Sequence, residues 1–299
     1  MTLRGFQSFD ESGLSEVLTD NIIYYLDYGF VEKGGYMNVQ RSSNPHNNQH
    51  ILYPIRDIRE TNGTIWAARR KNWVWEEGQG IPISGVWVNN NLITSGYEVN
   101  YRDGYIKFNS PISQNSQVQL NYSHKYIQVF DADESRIFQG DIDSFNVSDS
   151  IFINGSGFSL PDRRIQLPAI GIEVLTDRSS SPYELGNLSQ NMNTSVLCNI
   201  IATDDRIAKR ISDYLSYQKD KTFYLFDRDI VAQSGYYPMN YDGTINNSSG
   251  TYPVLAENFK YKKVFAAKAT ISELRIENVK KITQQLYHST VRMTLNCIF

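Results

Sequence analysis

The sequence predicts an α+β fold rich in strands: a mixed sheet with one long packed helix, a strand-rich β module and an N-terminal helix. Three observations carry it. Residues 85–129 alternate apolar and polar side chains at period two between turn dipeptides. Residues 195–202 (SVLCNIIA) form a continuous apolar run suited to a central strand. Residues 203–217 follow as an amphipathic helix with an acidic start.

The elements follow in order. Between 12 and 28, Leu14, Val17, Leu18, Ile22, Tyr25 and Leu26 fall near helical spacing, and Gly29 is placed to end that helix. Gly34-Gly35 turns the chain into a strand at 36–39, and Asn44 to Gln49 is a polar loop containing Pro45. Strand pattern resumes at 51–53, while 56–77 mixes charges with Trp66, Trp73 and Trp75 and resolves into no single pattern. In the β module, Asn89-Asn90-Asn91, Asp103-Gly104 and Asn109-Ser110-Pro111 supply the chain reversals. Residues 131–159 are acidic, then polar, and Pro161 and Pro168 bracket an extended connector.

From Ala169 the texture changes. Residues 170–175 read as a strand that Ser179-Ser180-Ser181-Pro182 breaks. Thr203 offers a hydroxyl N-cap, Ile207, Ala208, Ile211 and Leu215 make one helix face, and Lys219 and Lys221 suit the C-terminal dipole. Strands at 223–226, 264–276 and 289–299 complete the pattern, with a Gly/Asn/Ser loop at 240–252. The expected organisation is 1–82 (helix and strands), 83–130 (β module), 131–168 (connector) and 169–299 (α+β core).

Composition narrows the function. The 299 residues carry a net charge of −3 with no long basic run, against the multi-phosphate footprint of a sequence-specific nucleic-acid binder. No window approaches the length of a membrane span, and the N-terminus has no apolar leader core, so neither membrane nor export is expected. Tyrosines number 20 against 4 tryptophans, a bias shared by strand surfaces and wet protein interfaces. Cys198 and Cys297 sit in apolar strand patterns and read as buried free thiols.

No constellation marks catalysis, cofactor or metal chemistry. His46 and His50 stand four apart, but Pro45 opposes the helix that would align them, so solvated loop histidines are expected. His124 and His288 lie in strands without a second ligand nearby. The pairs Asp131/Asp133, Asp141/Asp143, Asp204/Asp205 and Asp227/Asp229 lack EF-hand continuation, and Asp204 and Asp205 suit a helix start. Trp66, Trp73, Trp75 and Trp87 offer either a sugar-stacking platform or core packing, with packing favoured because large aromatics dominate cores.

Three segments together resemble virion structural proteins of tailed bacteriophages, of the neck and tail-completion class. They are the 97–108 hairpin (YEVNYRDGYIKF); 181–186 (SPYELG) with the following SVLCNIIA strand and 203–217 helix; and the close at 288–295 (HSTVRMTL). The last two look like the strand–helix–strand core of small tail-terminator proteins, with the β module and N-terminal helix as additions. The resemblance spans about half the chain, is one of texture and order, and carries no catalytic residue.

It implies a non-enzymatic, ring-forming subunit, a hexamer, partnered by other neck and tail proteins. Such a protein is made in the host cytoplasm and resides in the virion. The expected interface elements are 240–252, 44–49 and the arm 1–11, represented by Tyr241, Asn246, Asn247, Tyr252, Asn44, His46, Phe6 and Phe9. The alternative from the tryptophans is a carbohydrate-binding tail or baseplate module. A glycosidase-type enzyme is a third, requiring a carboxylic acid of raised pKa in a cleft.

Overall fold

A computed structural model describes residues 13–41, 48–55, 60–132, 166–184, 189–281 and 286–299. Helix α1 (Leu14–Glu32) buries Val17, Leu18, Ile22, Leu26 and Phe30 along one stripe. It runs through Gly29, which was expected to end it. The stop lies one turn later: Gly34, at φ 79°, donates to Val31 O, and Gly35 donates to Phe30 O at 2.7 Å. A Cβ on Gly35 would lie 2.6 Å from that same oxygen, so the close approach requires glycine there.

The chain then builds a β module. Strand β1 (Tyr36–Val39) pairs antiparallel with β9 (Tyr122–Lys125). Between them lie β2 (Ile51–Ile55), β3 (Ile65–Ala67), β4 (Val86–Val88), β5 (Asn91–Ile93), β6 (Tyr97–Asn100), β7 (Tyr105–Phe108) and β8 (Val118–Leu120). These seven form an antiparallel sheet in the order β5-β4-β8-β2-β3-β7-β6.

Two of the expected reversals are as read. Asn89 and Asn90 take φ 49° and 69° between β4 and β5, and Gly104 takes φ 69° between β6 and β7. The boundary at 82/83 does not separate sheets, because β2 inserts between β8 and β3. The module therefore includes β2, where strand pattern was read at 51–53, and β3, which lies in the 56–77 stretch whose charges masked its pattern. Its core is aromatic: Trp66, Trp73 and Tyr122 are fully buried, with Val86, Ile106 and Leu120.

The second sheet holds β10 (Gln128–Asp131), β11 (Ala169–Pro182), β12 (Gln190–Ala202), β13 (Thr222–Tyr224), β14 (Lys268–Ile276), β15 (Lys280–Lys281) and β16 (Tyr287–Ile298). Its order is β10-β11-β12-β16-β14-β13, with β15 also on β16; β10 runs parallel to β11 and the other pairs are antiparallel. The SVLCNIIA run is central as expected, lying in β12 between β11 and β16.

Helices α2 (Asp205–Ser216), α3 (Arg228–Gln233) and α4 (Tyr252–Asn258) complete this half. The N-cap of α2 is Asp204, whose carboxylate accepts from Arg206 N at 2.7 Å; the hydroxyl of Thr203 does not serve. The helix ends at Ser216, so Lys219 and Lys221 fall beyond its last turn. Both α1 and α2 pack on one sheet face, α1 over β10 and β11 and α2 over β12, β16 and β14. The architecture is thus α+β and strand-rich, as the sequence predicts. Among the described residues, no helix is long and apolar enough to cross a membrane.

Candidate functional site

The long hairpin β11–β12 changes character along its length. From Ala169 to Val174 β11 is buried at every position but the half-buried Glu173, whereas Thr176 to Pro182 is exposed throughout. A bulge between Val174 and Arg178 separates the two halves and adds local twist. Pairing continues past it, from Arg178 opposite Thr194 to Pro182 opposite Gln190. The Ser179-Ser180-Ser181-Pro182 segment, expected to break the strand, is strand. The reason is its position: β10 covers β11 only from Ala169 to Ile172, and among the described residues nothing pairs that edge further on. Proline and serine are tolerated on an edge, where one side makes no ladder.

Charges fence this edge. Arg178 reaches Ser15 on α1, Asp177 lies 3.9 Å from Arg292, and Pro182 closes the far end. Bulge, charge and proline are the devices by which edge strands avoid promiscuous pairing. The three serines between them are left accessible.

The sheet face opposite the helices is polar. Register places Asn193, Ser195 and Asn199 of β12 beside Asn296, Thr294 and Thr290 of β16, with Arg292 and His288 on the same side. These side chains satisfy one another: Asn296 Nδ2 donates to Asn193 Oδ1 at 2.9 Å, and Arg292 Nη2 to Ser195 Oγ at 3.1 Å. Thr222 and Thr270 join at 2.9 Å across β13 and β14. On the helix face, the same strands bury Val196, Cys198, Ile200, Val291, Met293 and Leu295. Cys198 and Cys297 are free buried thiols, as read from the sequence, and burial pushes both up to about 12.

The expected interface residues divide. Asn44, His46, Phe6 and Phe9 lie outside the described residues. Tyr241 is 99% exposed. Asn246 faces solvent but is committed to its own loop, donating to Gly235 O and Tyr237 O; Asn247 accepts from Ser249. Tyr252 is no surface residue. It opens α4, is buried, and its hydroxyl donates to Tyr224 O at 2.6 Å.

The chemical candidates also resolve into structure. Asp227, like Asp204, caps a helix: it accepts from Asp229 N and Ile230 N at the start of α3. Among the described residues, no group of three His, Cys, Asp or Glu is placed to hold a metal ion. His50 is buried rather than solvated, and burial with nearby Arg41 holds its imidazole below the ordinary value. The tryptophans form no shared platform. Trp66 and Trp73 are buried, with indoles donating to Gly63 O and Arg70 O. Trp75 lies under the Lys125 ammonium at 5.6 Å and Trp87 under Arg41 at 5.7 Å.

One cluster escaped the sequence reading. Lys125 Nζ lies 2.5 Å from Asp27 Oδ2 and 2.6 Å from Glu76 Oε1, with Lys125 and Glu76 both buried. The three come from β9, α1 and the 73–81 loop, so no local spacing announces them. The clue was a lysine inside the strand run 122–125, every residue of which is buried. Comparison with protein families, curated proteins and solved structures finds no match for this chain.

Proposed function

We propose that this protein is a structural subunit of a tailed phage particle, a ring-forming neck or tail-terminator protein joining the tail tube to its neighbour. The supporting observation is the outer half of the β11–β12 hairpin, a pre-formed strand edge that stands clear of its own core. Adding a second chain along such an edge makes a heterologous contact. Repeated with a fixed rotation, heterologous contacts close into a ring. The small polar face of the same sheet suits a wall turned to water, either a bore or an outer surface. Burial of Trp66 and Trp73 removes half of the aromatic group on which a carbohydrate-binding module would rest.

Light scattering with negative-stain imaging tests the reading. The expected product is a ring of six chains with a central hole. Ser179→Lys combined with Ser181→Lys should leave the fold within about 0.5 kcal/mol of wild type, because both side chains are exposed. It should abolish rings, because lysines on a strand edge block the addition of another strand. Rings that form equally well in this variant would remove the edge from the contact; a wild type that makes no ring, alone or with tail-tube protein, would sink the proposal.

A further inference from the structure

Among the described residues, the chain passes between its two large sheets at sites that lie side by side. Helix α1 leads through Gly34-Gly35 into β1, and β9 leads through Tyr126-Ile127 into β10. Tyr126 N donates to Gly35 O at 2.8 Å, and Tyr36 stands opposite Lys125 in the β1–β9 register. This waist is buried and ionic, because Lys125 draws Asp27 of α1 and Glu76 of the module onto one ammonium.

A second junction lies elsewhere and has a different make-up. The loop 240–245 reaches from the C-terminal half to the β6–β7 turn. Asn100 Nδ2 donates to Asp242 O at 2.5 Å, Tyr101 N to Gly243 O at 3.0 Å, and Arg102 Nη1 to Tyr241 O at 2.8 Å. All three donors belong to the module, and all three acceptors are main-chain carbonyls of the loop. The loop is pre-shaped to present them: Asn240 N donates to Thr244 O, Gly243 N to Asn240 O, and Thr244 N to Asp242 Oδ1, each at 2.9 Å. Gly243 sits at φ 90°, and a Cβ there would meet Asn100 Oδ1 at 2.6 Å. Any other residue is thus both strained and obstructed at this contact.

The two junctions differ in what opening them would expose. Parting the waist strips a buried lysine from two carboxylates, an expensive loss. Parting the loop from Asn100 returns ordinary hydrogen-bonding groups to water, each of small net worth. The loop junction is also incompletely packed. A groove of about 390 Å³ remains beside it, lined by Glu98, Val99, Tyr101, Asp242, Thr244 and Ile245. Tyr241 caps the loop in full solvent.

We infer that the two sheets form a hinged pair, with the Gly35–Tyr126 waist as pivot and the 240–245 loop as a releasable clasp over Asn100–Arg102. The loop expected to reach outward to a neighbour instead holds the molecule's own halves together. Its fully exposed aromatic side chain, Tyr241, is where a partner would grip to release it.

Two measurements test this. In wild type, the Tyr101 amide should exchange with deuterium at least about tenfold faster than the Tyr126 amide, since the clasp opens locally while the waist stays shut. For the second, distance labels go on Ser95→Cys in the module and Tyr217→Cys in the C-terminal half, both exposed, while Cys198 and Cys297 are buried and stay unlabelled. Gly243→Ala and Arg102→Ala should each add a longer-distance population, with the circular dichroism spectrum unchanged. Equal protection of the two amides overturns the clasp whether or not Gly243→Ala folds. So does a single, unshifted distance in folded Gly243→Ala.

Discussion

Replacing Lys125 by Met is expected to lower stability by about 3–5 kcal/mol at pH 7, the range for removing one partner of a buried ion pair. For a chain of this size that is a fall on the order of 10 °C in Tm. The magnitude follows from what stays behind. Glu76 and Asp27 would face each other without a cation, in a site where the Lys125 side chain is 3% exposed and that of Glu76 2%. Burial alone already holds the Asp27 carboxyl above its ordinary value, and Glu76 adds to it; only Lys125 opposes them. Burial likewise penalises the Lys125 ammonium, but the two carboxylates outweigh it and raise its pKa.

The sign of the pH dependence gives this prediction a second test. A carboxyl whose folded pKa is raised has full stability below its unfolded pKa and loses it as pH rises through the folded value. Without the lysine, the Asp27 carboxyl loses the one group that lowers it and moves further in that direction. The deficit of Lys125→Met should therefore be largest near neutrality and shrink as pH approaches 4. Thermal melts at pH 7 and pH 5 would show it. A pH-independent deficit, or one below about 1 kcal/mol, would mean that only packing was lost.

What the sequence revealed follows the range over which its physics acts. The period of α1, the apolar run of β12 and the turns at Asn89-Asn90 and Asp103-Gly104 are local, and all are where the pattern put them. Helices α3 and α4 span 6 and 7 residues, too few for a helical period to show, although Asp227 and Pro253 mark their starts in retrospect. The Ser179–Pro182 strand was hidden for another reason. Turn residues and edge-strand residues are the same residues, and only the neighbours in the sheet decide between them. The β module's extent was similarly out of reach, since it depends on β2 pairing with β8, some 65 positions on. The candidate assembly edge was legible in its serines and proline but given the wrong conformation. The waist was not legible, because Lys125 meets Asp27 and Glu76 across 98 and 49 positions.

Beside Lys125, His124 should make the protein lose stability in acid, by about 3 kcal/mol between pH 6.5 and pH 4. The imidazole is 3% exposed, and burial lowers its pKa from 6.5 to about 4; nearby Arg70 adds to the shift, and the backbone contact to Lys125 opposes it. With Nδ1 donating to Lys125 O at 3.2 Å, the Nε2 lone pair is buried without a hydrogen-bond partner. Protonation would place a cation in that buried site, with the nearby Arg70 guanidinium to repel it. A base with a depressed folded pKa leaves the unfolded chain to take up the proton first. Stability is therefore complete above 6.5 and declines through the window to about 4, at roughly 1.4 kcal/mol per pH unit. His50 and His288 are shifted the same way by burial, so the total slope belongs to several groups. The contribution of His124 is the difference between wild type and His124→Phe, which keeps a planar ring and cannot titrate. Urea midpoints at pH 7 and pH 4.5 should diverge for wild type and lie closer together for the variant. An imidazole that titrates near 6.5 by NMR, or equal slopes for the two proteins, would show that this ring is not held neutral by burial.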